Sequence, residues 1–223
     1  MRFGWGTILF LLSVMLVSPA GAADRAGYYA GLRLVGSVAD LQDVQGVNFT
    51  GSLVENQSSD IVGGGGGVIG YRWGRLPVRT ELEVAYRVRF DWNSRDNGSP
   101  NVGYQNNLDS TNVLCNILLE YRNMSDFTPF FGGTFGWARN HSAVDRTNLS
   151  TSTTVSQDNT ENNLAWGVML GLDWAFAQKW STELAYRYIN LGPASTGTFS
   201  GGDEVKADAY VAHDIMLSAM YKW

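Results

Sequence analysis

The two histidines, His141 and His213, are the first residues to test for chemistry, because acyl-transfer enzymes use such a base beside a nucleophile. Ser142 follows the first histidine, and Asp145 lies nearby on the same segment. Asp214 follows the second histidine, but adjacent residues of a strand point to opposite faces. Neither set resembles a catalytic constellation, so we predict no catalytic residues.

A glycine run over residues 63–67, together with the Val68-Ile69-Gly70 that follows it, contains a formal G-x-G-x-x-G match at Gly65, Gly67 and Gly70. A dinucleotide site requires this motif between a strand and a helix. Here the run lies within a predicted strand, so we expect the glycines to relieve crowding or curvature. The acids have arginine competitors and no metal-ligand spacing, and the single Cys115 cannot form an intrachain disulfide. We therefore predict no cofactor and no metal.

The segment 78–90 alternates between two kinds of side chain. One face reads Val, Thr, Leu, Val, Tyr, Val, Phe. The other face carries five charged residues, which are Arg79, Glu81, Glu83, Arg87 and Arg89. Such alternation is typical of a strand with one apolar face. A shift of register by one residue would exchange the two faces, so the pattern specifies which face meets an apolar medium.

The N-terminal residues indicate export. Arg2 precedes an apolar run and the small residues Ala20-Gly21-Ala22, which predicts a signal peptide over 1–22 and one mature domain over 23–223. The apolar run is about 10 residues long, whereas a helix that spans a bilayer needs about 20. No later segment is long and apolar enough for a membrane helix. A mature chain that enters a membrane must therefore form a closed barrel, which pairs every backbone group in lipid.

Eight strands can be placed along the mature chain. They cover about 27–39, 61–74, 77–91, 110–123, 127–141, 161–177, 180–191 and 208–223. Long polar connections at about 40–60, 92–109, 142–160 and 192–207 alternate with short ones, as external loops and periplasmic turns do in outer-membrane barrels. We predict an all-β fold, an eight-stranded antiparallel up-and-down transmembrane β-barrel with a side-chain-filled polar interior.

The parity of the strands predicts an ionic network inside this barrel. An arginine or lysine on the lipid face costs about 2–4 kcal/mol at the bilayer midplane. Inside, nearly balanced charges can pair, which an isolated buried ion cannot. The predicted members are Arg33, Arg72, Arg79, Glu81, Glu83, Arg87, Arg89, Glu120, Arg122, Asp173, Glu183, Arg187 and Asp214. A soluble ligand-binding barrel would have the reverse polarity.

Outward aromatic residues fall at two levels, as rings do at the two interfaces of a membrane. The level near the periplasmic ends comprises Tyr28, Trp73, Tyr121, Trp174, Trp180, Tyr221 and Trp223. The level near the outer ends comprises Phe90, Trp92, Trp137, Trp166 and Tyr188. At the end of the chain, we predict a C-terminal assembly signal formed by Leu217, Ala219, Tyr221 and Trp223.

Three stretches resemble the small outer-membrane β-barrel family of Gram-negative bacteria, which includes OmpA-like and OmpX-like barrels and rhizobial and Brucella-type surface antigens. They are Gly27-Tyr28-Tyr29-Ala30-Gly31-Leu32, Thr128-Pro129-Phe130-Phe131-Gly132-Gly133, and residues 164–192. The resemblance covers the whole mature chain and implies a multi-pass protein of the bacterial outer membrane. Because nothing follows Trp223, we do not expect the peptidoglycan-binding domain of OmpA.

The resemblance also implies a function. We expect a structural, surface-exposed protein whose loops present a surface for adhesion or for contact with a host or the cell envelope. The expected partners are outer-membrane lipid, the barrel assembly machinery, periplasmic chaperones and an external ligand at the loops. A small porin-like channel and an enzyme that modifies outer-leaflet lipid stay open as alternatives. The formal charge of −5, or −6 once Arg2 is removed, indicates no nucleic-acid partner.

Overall fold

The structure is a computed structural model that describes residues 26–57, 59–98 and 101–223. Over these residues it contains ten β-strands. They are β1 (Gly27–Val47), β2 (Leu53–Gln57), β3 (Ser59–Arg72), β4 (Val78–Asp96), β5 (Val102–Glu120), β6 (Phe127–Asn148), β7 (Thr153–Trp174), β8 (Trp180–Asn190), β9 (Ala194–Ser195) and β10 (Glu204–Lys222). The predicted signal peptide, residues 1–22, lies outside the described residues and stays a prediction.

Eight of these strands form a closed antiparallel ring, and the predicted eight-stranded barrel is confirmed. The order is β1, β3, β4, β5, β6, β7, β8, β10 and back to β1, where Tyr29 pairs with Lys222 and Val47 with Glu204. The short β2 pairs with β4, and the short β9 pairs with β10. Within the described part of the chain, no helix is long and apolar enough to cross a membrane.

Several strands continue well beyond their predicted ends. β6 and β7 pair from Phe127 with Trp174 up to Asn148 with Thr153. The ranges 92–109 and 142–160, predicted as loops, are therefore mostly strand. Their Asn, Ser, Thr and Gly content suggested loops, but strand formation depends on cross-strand packing more than on intrinsic preference.

The outward side chains change from apolar to polar at one level along these strands. On β1 the next outward-facing residue after the exposed Val38 is Asp40. On β6 the next outward-facing residue after the exposed Trp137 is Arg139. We call the part of the barrel beyond this level the collar. It comprises residues 40–47, 89–96, 102–109, 139–148, 153–163 and 204–210.

Below the collar the outer wall is apolar, with Leu32 75% exposed and Leu164 74% exposed. Such exposure of large apolar side chains is stable in contact with hydrocarbon. The aromatic residues that mark the periplasmic level and face outward are Tyr28, Trp73, Tyr121, Trp174, Trp180, Tyr221 and Trp223, and those of the outer level are Trp137, Trp166 and Tyr188. Cys115 is half-buried on the outward face of β5.

The prediction was wrong for Arg89, Phe90 and Trp92, because β4 contains a β-bulge. Arg87 pairs with Ser110, but the next pair is Phe90 with Leu108, so β4 has one residue more than β5 between these pairs. A bulge of this kind reverses the parity of the residues that follow. The Arg89 side chain is therefore 66% exposed, and Phe90 and Trp92 are fully buried inside the barrel.

The other twelve residues of the predicted network are buried inside the part of the barrel below the collar, which we call the membrane-level barrel. They are six arginines, Arg33, Arg72, Arg79, Arg87, Arg122 and Arg187, and six acids, Glu81, Glu83, Glu120, Asp173, Glu183 and Asp214. Each arginine contacts at least one of these acids within salt-bridge distance. Equal numbers of opposite charges allow the burial that a single ion would not tolerate.

Glu83 on β4 connects the central strands of this network. Its Oε2 lies 2.5 Å from Nη1 of Arg33 on β1, and its Oε1 lies 3.0 Å from Nη1 of Arg187 on β8. Asn116 on β5 donates from Nδ2 to Glu83 Oε2 at 3.0 Å. Because Glu83 is fully buried, its loss would leave two guanidinium groups with fewer acceptors and no water.

The periplasmic end of the network closes onto the first turn. Arg72 Nη2 lies 2.7 Å from both Glu120 and Asp173. Arg122 contacts Glu120 at 3.2 Å and donates to the carbonyl oxygen of Trp73 at 2.5 Å. The ionic contacts thus extend from the middle of the barrel to its periplasmic rim.

We predict that Glu83→Ala lowers the free energy of unfolding by about 3–5 kcal/mol, because it leaves buried arginines without a partner. The midpoint of urea unfolding in detergent measures the change. Asp91→Ala is the matched control, since Asp91 also pairs with an arginine, Arg89, but both side chains are about half or more exposed. This exposed pair should contribute no more than about 1 kcal/mol. An unchanged midpoint for Glu83→Ala would contradict the buried network.

We predict that the bulge exposes position 89 and buries position 90. In a Cys115→Ala background, Arg89→Cys should react on intact cells with a membrane-impermeant maleimide, whereas Phe90→Cys should react only after unfolding. Mass spectrometry of the purified protein measures both. The reverse pattern would show that β4 keeps one parity throughout.

Candidate functional site

The collar lies at the external end of the barrel. The other end carries the three short connections, residues 73–77, 121–126 and 175–179. Outer-membrane barrels place short turns in the periplasm and longer elements outside. From Trp137 the strand β6 continues to Asn148, which projects it roughly 25–30 Å from the membrane at the usual rise and tilt of strands.

The interior of the collar is largely apolar, in contrast with the ionic interior below it, although it also buries polar side chains such as Asn106 and Ser142. Its buried side chains come from most strands of the ring, and Phe90 and Tyr210 pack edge to face with ring centroids 5.6 Å apart. The larger members of this cluster are Leu41, Phe90, Trp92, Tyr104, Leu108, Val144, Leu191, Phe199, Val205 and Tyr210. The lumen is therefore filled with side chains at both levels, and the predicted polar interior holds only for the lower one.

The segment that follows β8 covers the outer end of the lumen. We call residues 191–203 the mouth segment. Leu191, Ala194 and Phe199 are buried in the collar cluster. Gly192 has φ of +79° and so permits the turn into this segment that a residue with a side chain would resist. β8 ends at Asn190, well short of its neighbour β7, and the mouth segment occupies the space that this leaves.

Side chains of β6 and β7 hold the mouth segment by its carbonyl oxygens. Asn140 Nδ2 donates to the oxygens of Leu191 and Pro193, both at 3.0 Å. Asn159 donates to Ser195 at 3.1 Å, and Asn163 donates to Pro193 at 2.9 Å. These contacts satisfy backbone groups that the irregular segment cannot pair within itself.

Asp203 anchors the far end of the mouth segment. Its Oδ2 accepts hydrogen bonds from the Tyr104 hydroxyl and, at 2.5 Å, from Arg146 Nε. Burial raises the pKa of Asp203, but the hydrogen bonds from Tyr104 and Arg146 outweigh it and hold that pKa below its usual value. Phe199 packs beside them, 6.0 Å from the Tyr104 ring and 5.8 Å from the Arg146 guanidinium.

The outward face of the collar is polar and rich in carboxylates. Its exposed or half-buried acids are Asp40, Asp43, Asp91, Asp109, Asp145, Asp158 and Asp208, and its bases are Arg89, Arg95, Arg139 and Lys206. Two of the bases are already paired, Arg89 with Asp91 and Lys206 with Glu204. This surface does not have the excess of cations that binds a polyanion.

The histidines lie on the outward side of the barrel, each beside a hydroxyl group. His141 Nδ1 is 3.0 Å from Thr160 Oγ1, and His213 Nδ1 is 2.7 Å from the Tyr186 hydroxyl. Ser142 points inward and is buried, so it does not meet His141. The structure brings neither histidine together with a serine and an acid in the order that hydrolases use.

The glycine run over residues 63–67 lies within β3, and two of its glycines that are not part of the motif, Gly64 and Gly66, pack closely against β4. A Cβ atom at Gly66 would stand 2.2 Å from the Val84 carbonyl oxygen, and one at Gly64 would stand 2.6 Å from that of Tyr86. Among the described residues, no group of three or more His, Cys, Asp or Glu side chains could hold a metal ion.

Sequence reasoning missed the anchor formed by Tyr104, Arg146 and Asp203. All three fall in ranges that were predicted as loops. The alternation of Val102, Tyr104 and Leu108 with polar residues continues the β5 pattern, and it could have indicated a longer strand. The contact with Asp203 could not be found in this way, because it joins residues far apart in the chain.

Comparison with known proteins agrees with this architecture. Residues 7–222 match the family described as outer membrane protein beta-barrel domain. The chain is 27% identical over 173 residues to Outer membrane protein PagN of Salmonella typhimurium, which covers 71% of this chain and 72% of that protein.

The chain also shares its fold with solved structures. Neisserial surface protein A (NspA) superposes with a TM-score of 0.54 and 14% identity, covering 88% of this chain and 97% of that one. OprG from Pseudomonas aeruginosa superposes with a TM-score of 0.53 and 15% identity, covering 89% and 96%. Together with the apolar outer wall and the closed ring, the family match shows that the chain belongs to the outer membrane protein β-barrel domain family and is a surface-exposed protein of the bacterial outer membrane.

Proposed function

We propose that this protein is a surface-interaction protein, in which the membrane-level barrel anchors the collar and the outward face of the collar binds a partner outside the cell. The observation that carries the proposal is a projecting collar with a filled lumen. Its inner side chains pack against one another, so its outer side chains are the ones available for recognition. Binding and recognition residues are commonly held on a rigid scaffold in this way.

The collar is built of paired strands, and such a rigid surface supports binding better than a set of mobile loops would. Its strands remain paired almost to their outer ends, as Val102 with Asn148 and Thr153 with Asn148 show. A preorganised surface loses less conformational entropy when it binds. We therefore place the interaction surface on the paired strands of the collar as well as on the turns that join them.

The filled lumen disfavours the porin-like alternative. An eight-stranded barrel encloses a space just wide enough for side chains. Here that space holds the ionic network, the apolar collar cluster and the mouth segment in succession. A solute would have to displace all three to pass through.

The surroundings of the histidines favour a binding function over an enzymatic one. His213 bonds to Tyr186, while its neighbour Asp214 points inward and contacts Arg187. A hydrolase would need these groups to face one substrate. The proposed function accordingly includes no catalytic step.

The charge of the collar indicates the chemistry of the external partner. Carboxylates outnumber cations on its outward face, so a partner with a neutral or basic protein surface fits better than a sulfated glycan or a nucleic acid. We propose such a protein surface, on a host cell or in the envelope, as the external ligand.

We also propose that periplasmic chaperones and the barrel assembly machinery recognise the C-terminal strand during assembly. Leu217 and Trp223 are 52% and 58% exposed on the outer wall, and Tyr221 stacks beside Trp223 with ring centroids 6.3 Å apart. This apolar edge, together with Ala219, would be presented to periplasmic chaperones and to the barrel assembly machinery before the ring closes.

Charge reversal on the collar tests the proposed function. Non-adherent bacteria that express the protein should bind host-cell monolayers or immobilised matrix proteins better than cells with an empty vector. Arginine substitutions made in pairs, at Asp40 and Asp43, at Asp91 and Asp109, or at Asp145 and Asp158, should include at least one pair that reduces binding several-fold. Asp126→Arg at the periplasmic end is the matched control and should have no effect.

Two results would overturn the proposal. One is equal adherence of all collar variants and the unmodified protein at equal surface amounts. The other is a reproducible stepwise conductance of the purified protein in planar bilayers, which would favour the porin-like alternative.

We predict that Asp203→Asn loosens the mouth segment without unfolding the barrel. The substitution removes a charged acceptor for two donors, which costs about 1–3 kcal/mol. Hydrogen exchange of residues 196–203 should become faster at pH 7, while exchange of the membrane-level strands stays unchanged. Asp145→Asn, which removes an exposed carboxylate bonded to Ser156, is the control.

The same anchor determines the pH dependence of the mouth segment. The folded pKa of Asp203 is lowered, so its stabilising contribution is present above the unfolded value of about 3.9 and is lost as pH falls through the folded value. The rate of amide hydrogen exchange of residues 196–203, corrected for the intrinsic rate at each pH, should therefore be constant between pH 5 and 7 and rise only in stronger acid. A rise already near pH 6 would contradict the assignment.

A further inference from the structure

We propose that the outer end of the ionic network binds one monatomic anion, chloride in the cell, between Arg87, Arg187, Asn112 and Tyr210. This site lies inside the barrel, just below the apolar collar cluster. It is separate from the outward collar surface and does not depend on the partner proposed for it.

Two arginines share one carboxylate at this end of the network. Arg87 Nη2 and Arg187 Nε both contact the same oxygen, Oδ2 of Asp214, the latter at 3.0 Å. The other oxygen of Asp214 accepts from the Ser37 hydroxyl at 2.6 Å. Two guanidinium groups thus converge on one carboxylate, and the other acidic partner of Arg187 is Glu83.

Several hydrogen-bond donors at this point are left over. Nε and Nη1 of Arg87, Nη2 of Arg187, Nδ2 of Asn112 and the Tyr210 hydroxyl are buried and have no hydrogen-bond partner among the described residues. Arg87, Arg187, Asn112 and Tyr210 are each at most 1% exposed. Buried polar groups without partners are costly, so these atoms point to a bound species.

The pairing of the strands brings the four residues to one region. Arg87 lies opposite Ser110 on β5, and Asn112 is the next inward residue of that strand. On β10 the successive inward-facing residues toward the collar are Asp214, Ala212 and Tyr210. Arg87 contacts the first of these, Asp214. The Tyr210 ring packs against Phe90, the first inward residue after Arg87.

The chemistry of the leftover atoms favours an anion over water alone. A water molecule must donate two hydrogen bonds as well as accept, but of these five atoms only the Tyr210 oxygen can accept one. The Ser110 hydroxyl lies 3.2 Å from the Asn112 oxygen but 2.8 Å from the Asn140 oxygen, so its one proton goes to Asn140 and the Asn112 oxygen is a second possible acceptor. The unpaired N–H and O–H groups at the site still outnumber these two acceptors. Of the other buried amide and carboxylate oxygens without a partner, Asn116 Oδ1 and Asp173 Oδ1 lie closer to the periplasmic end, and Asn106 Oδ1 lies beyond Leu108 in the collar. A chloride ion accepts from several donors at once and donates nothing.

The surroundings would also make the anion necessary. Beyond this level most of the buried side chains are apolar, and outside the wall lies hydrocarbon. Neither medium can supply a hydrogen-bond acceptor to the unpaired guanidinium N–H groups. The filled lumen implies that the ion enters while the barrel folds and then exchanges slowly.

Refolding in bromide tests this site directly. Protein refolded from urea into detergent, with bromide as the sole halide, is crystallised and its anomalous scattering is measured. We expect one anomalous peak within hydrogen-bond distance of Arg87 Nη1 and the Tyr210 hydroxyl. A folded barrel without a peak at this position, or with water there instead, would overturn the proposal.

A second measurement does not depend on crystals. The urea midpoint of the unmodified protein should be higher in sodium chloride or bromide than in sodium gluconate of equal ionic strength. Tyr210→Phe and Asn112→Leu should each lose most of this halide-specific increase, while Tyr121→Phe at the periplasmic aromatic level keeps it. Equal midpoints in all three salts, or an increase that both site variants retain, would show that halide acts elsewhere.

Discussion

The medium outside the wall determines which side chains lie inside it. Where hydrocarbon surrounds the barrel, ionised groups are excluded from the outer face and pair in the interior, as Arg33 and Glu83 do. Where the strands emerge into water, the outer face can be polar, and the apolar residues Phe90 and Leu108 are buried instead. One ring of strands therefore contains two cores of opposite polarity, stacked along its axis.

The β4 bulge allows a single strand to serve both cores. Without it, the parity that points Arg87 inward would also point Arg89 into the apolar collar interior. The extra residue between Arg87 and Phe90 places Arg89 outside, where it bonds to Asp91 and Asn107. A bulge interrupts the ladder locally, and here that interruption avoids an unpaired charge in an apolar core.

The membrane-level barrel could be predicted from the sequence because its outer wall contacts one medium, hydrocarbon, along its whole length. Alternation along residues 78–87 was sufficient to place Arg79, Glu81, Glu83 and Arg87 inside. The position of Arg89 was not predictable in the same way, since the bulge is defined by how β4 pairs with β5. The mouth segment was missed for a related reason. Its burial depends on β8 ending before its neighbours, which is a property of the assembled sheet.

The two cores also separate stability from recognition. The inward residues of the collar, such as Tyr104 and Val144, pack together, whereas the outward ones, such as Asp145 and Asp158, are exposed. Exposed substitutions away from structural contacts usually change stability by less than about 0.5 kcal/mol. The outer face can therefore change its charge and shape while the barrel continues to fold. The binding function proposed for the outer face would benefit from this independence, and mobile loops would achieve it only with a greater entropic cost on binding.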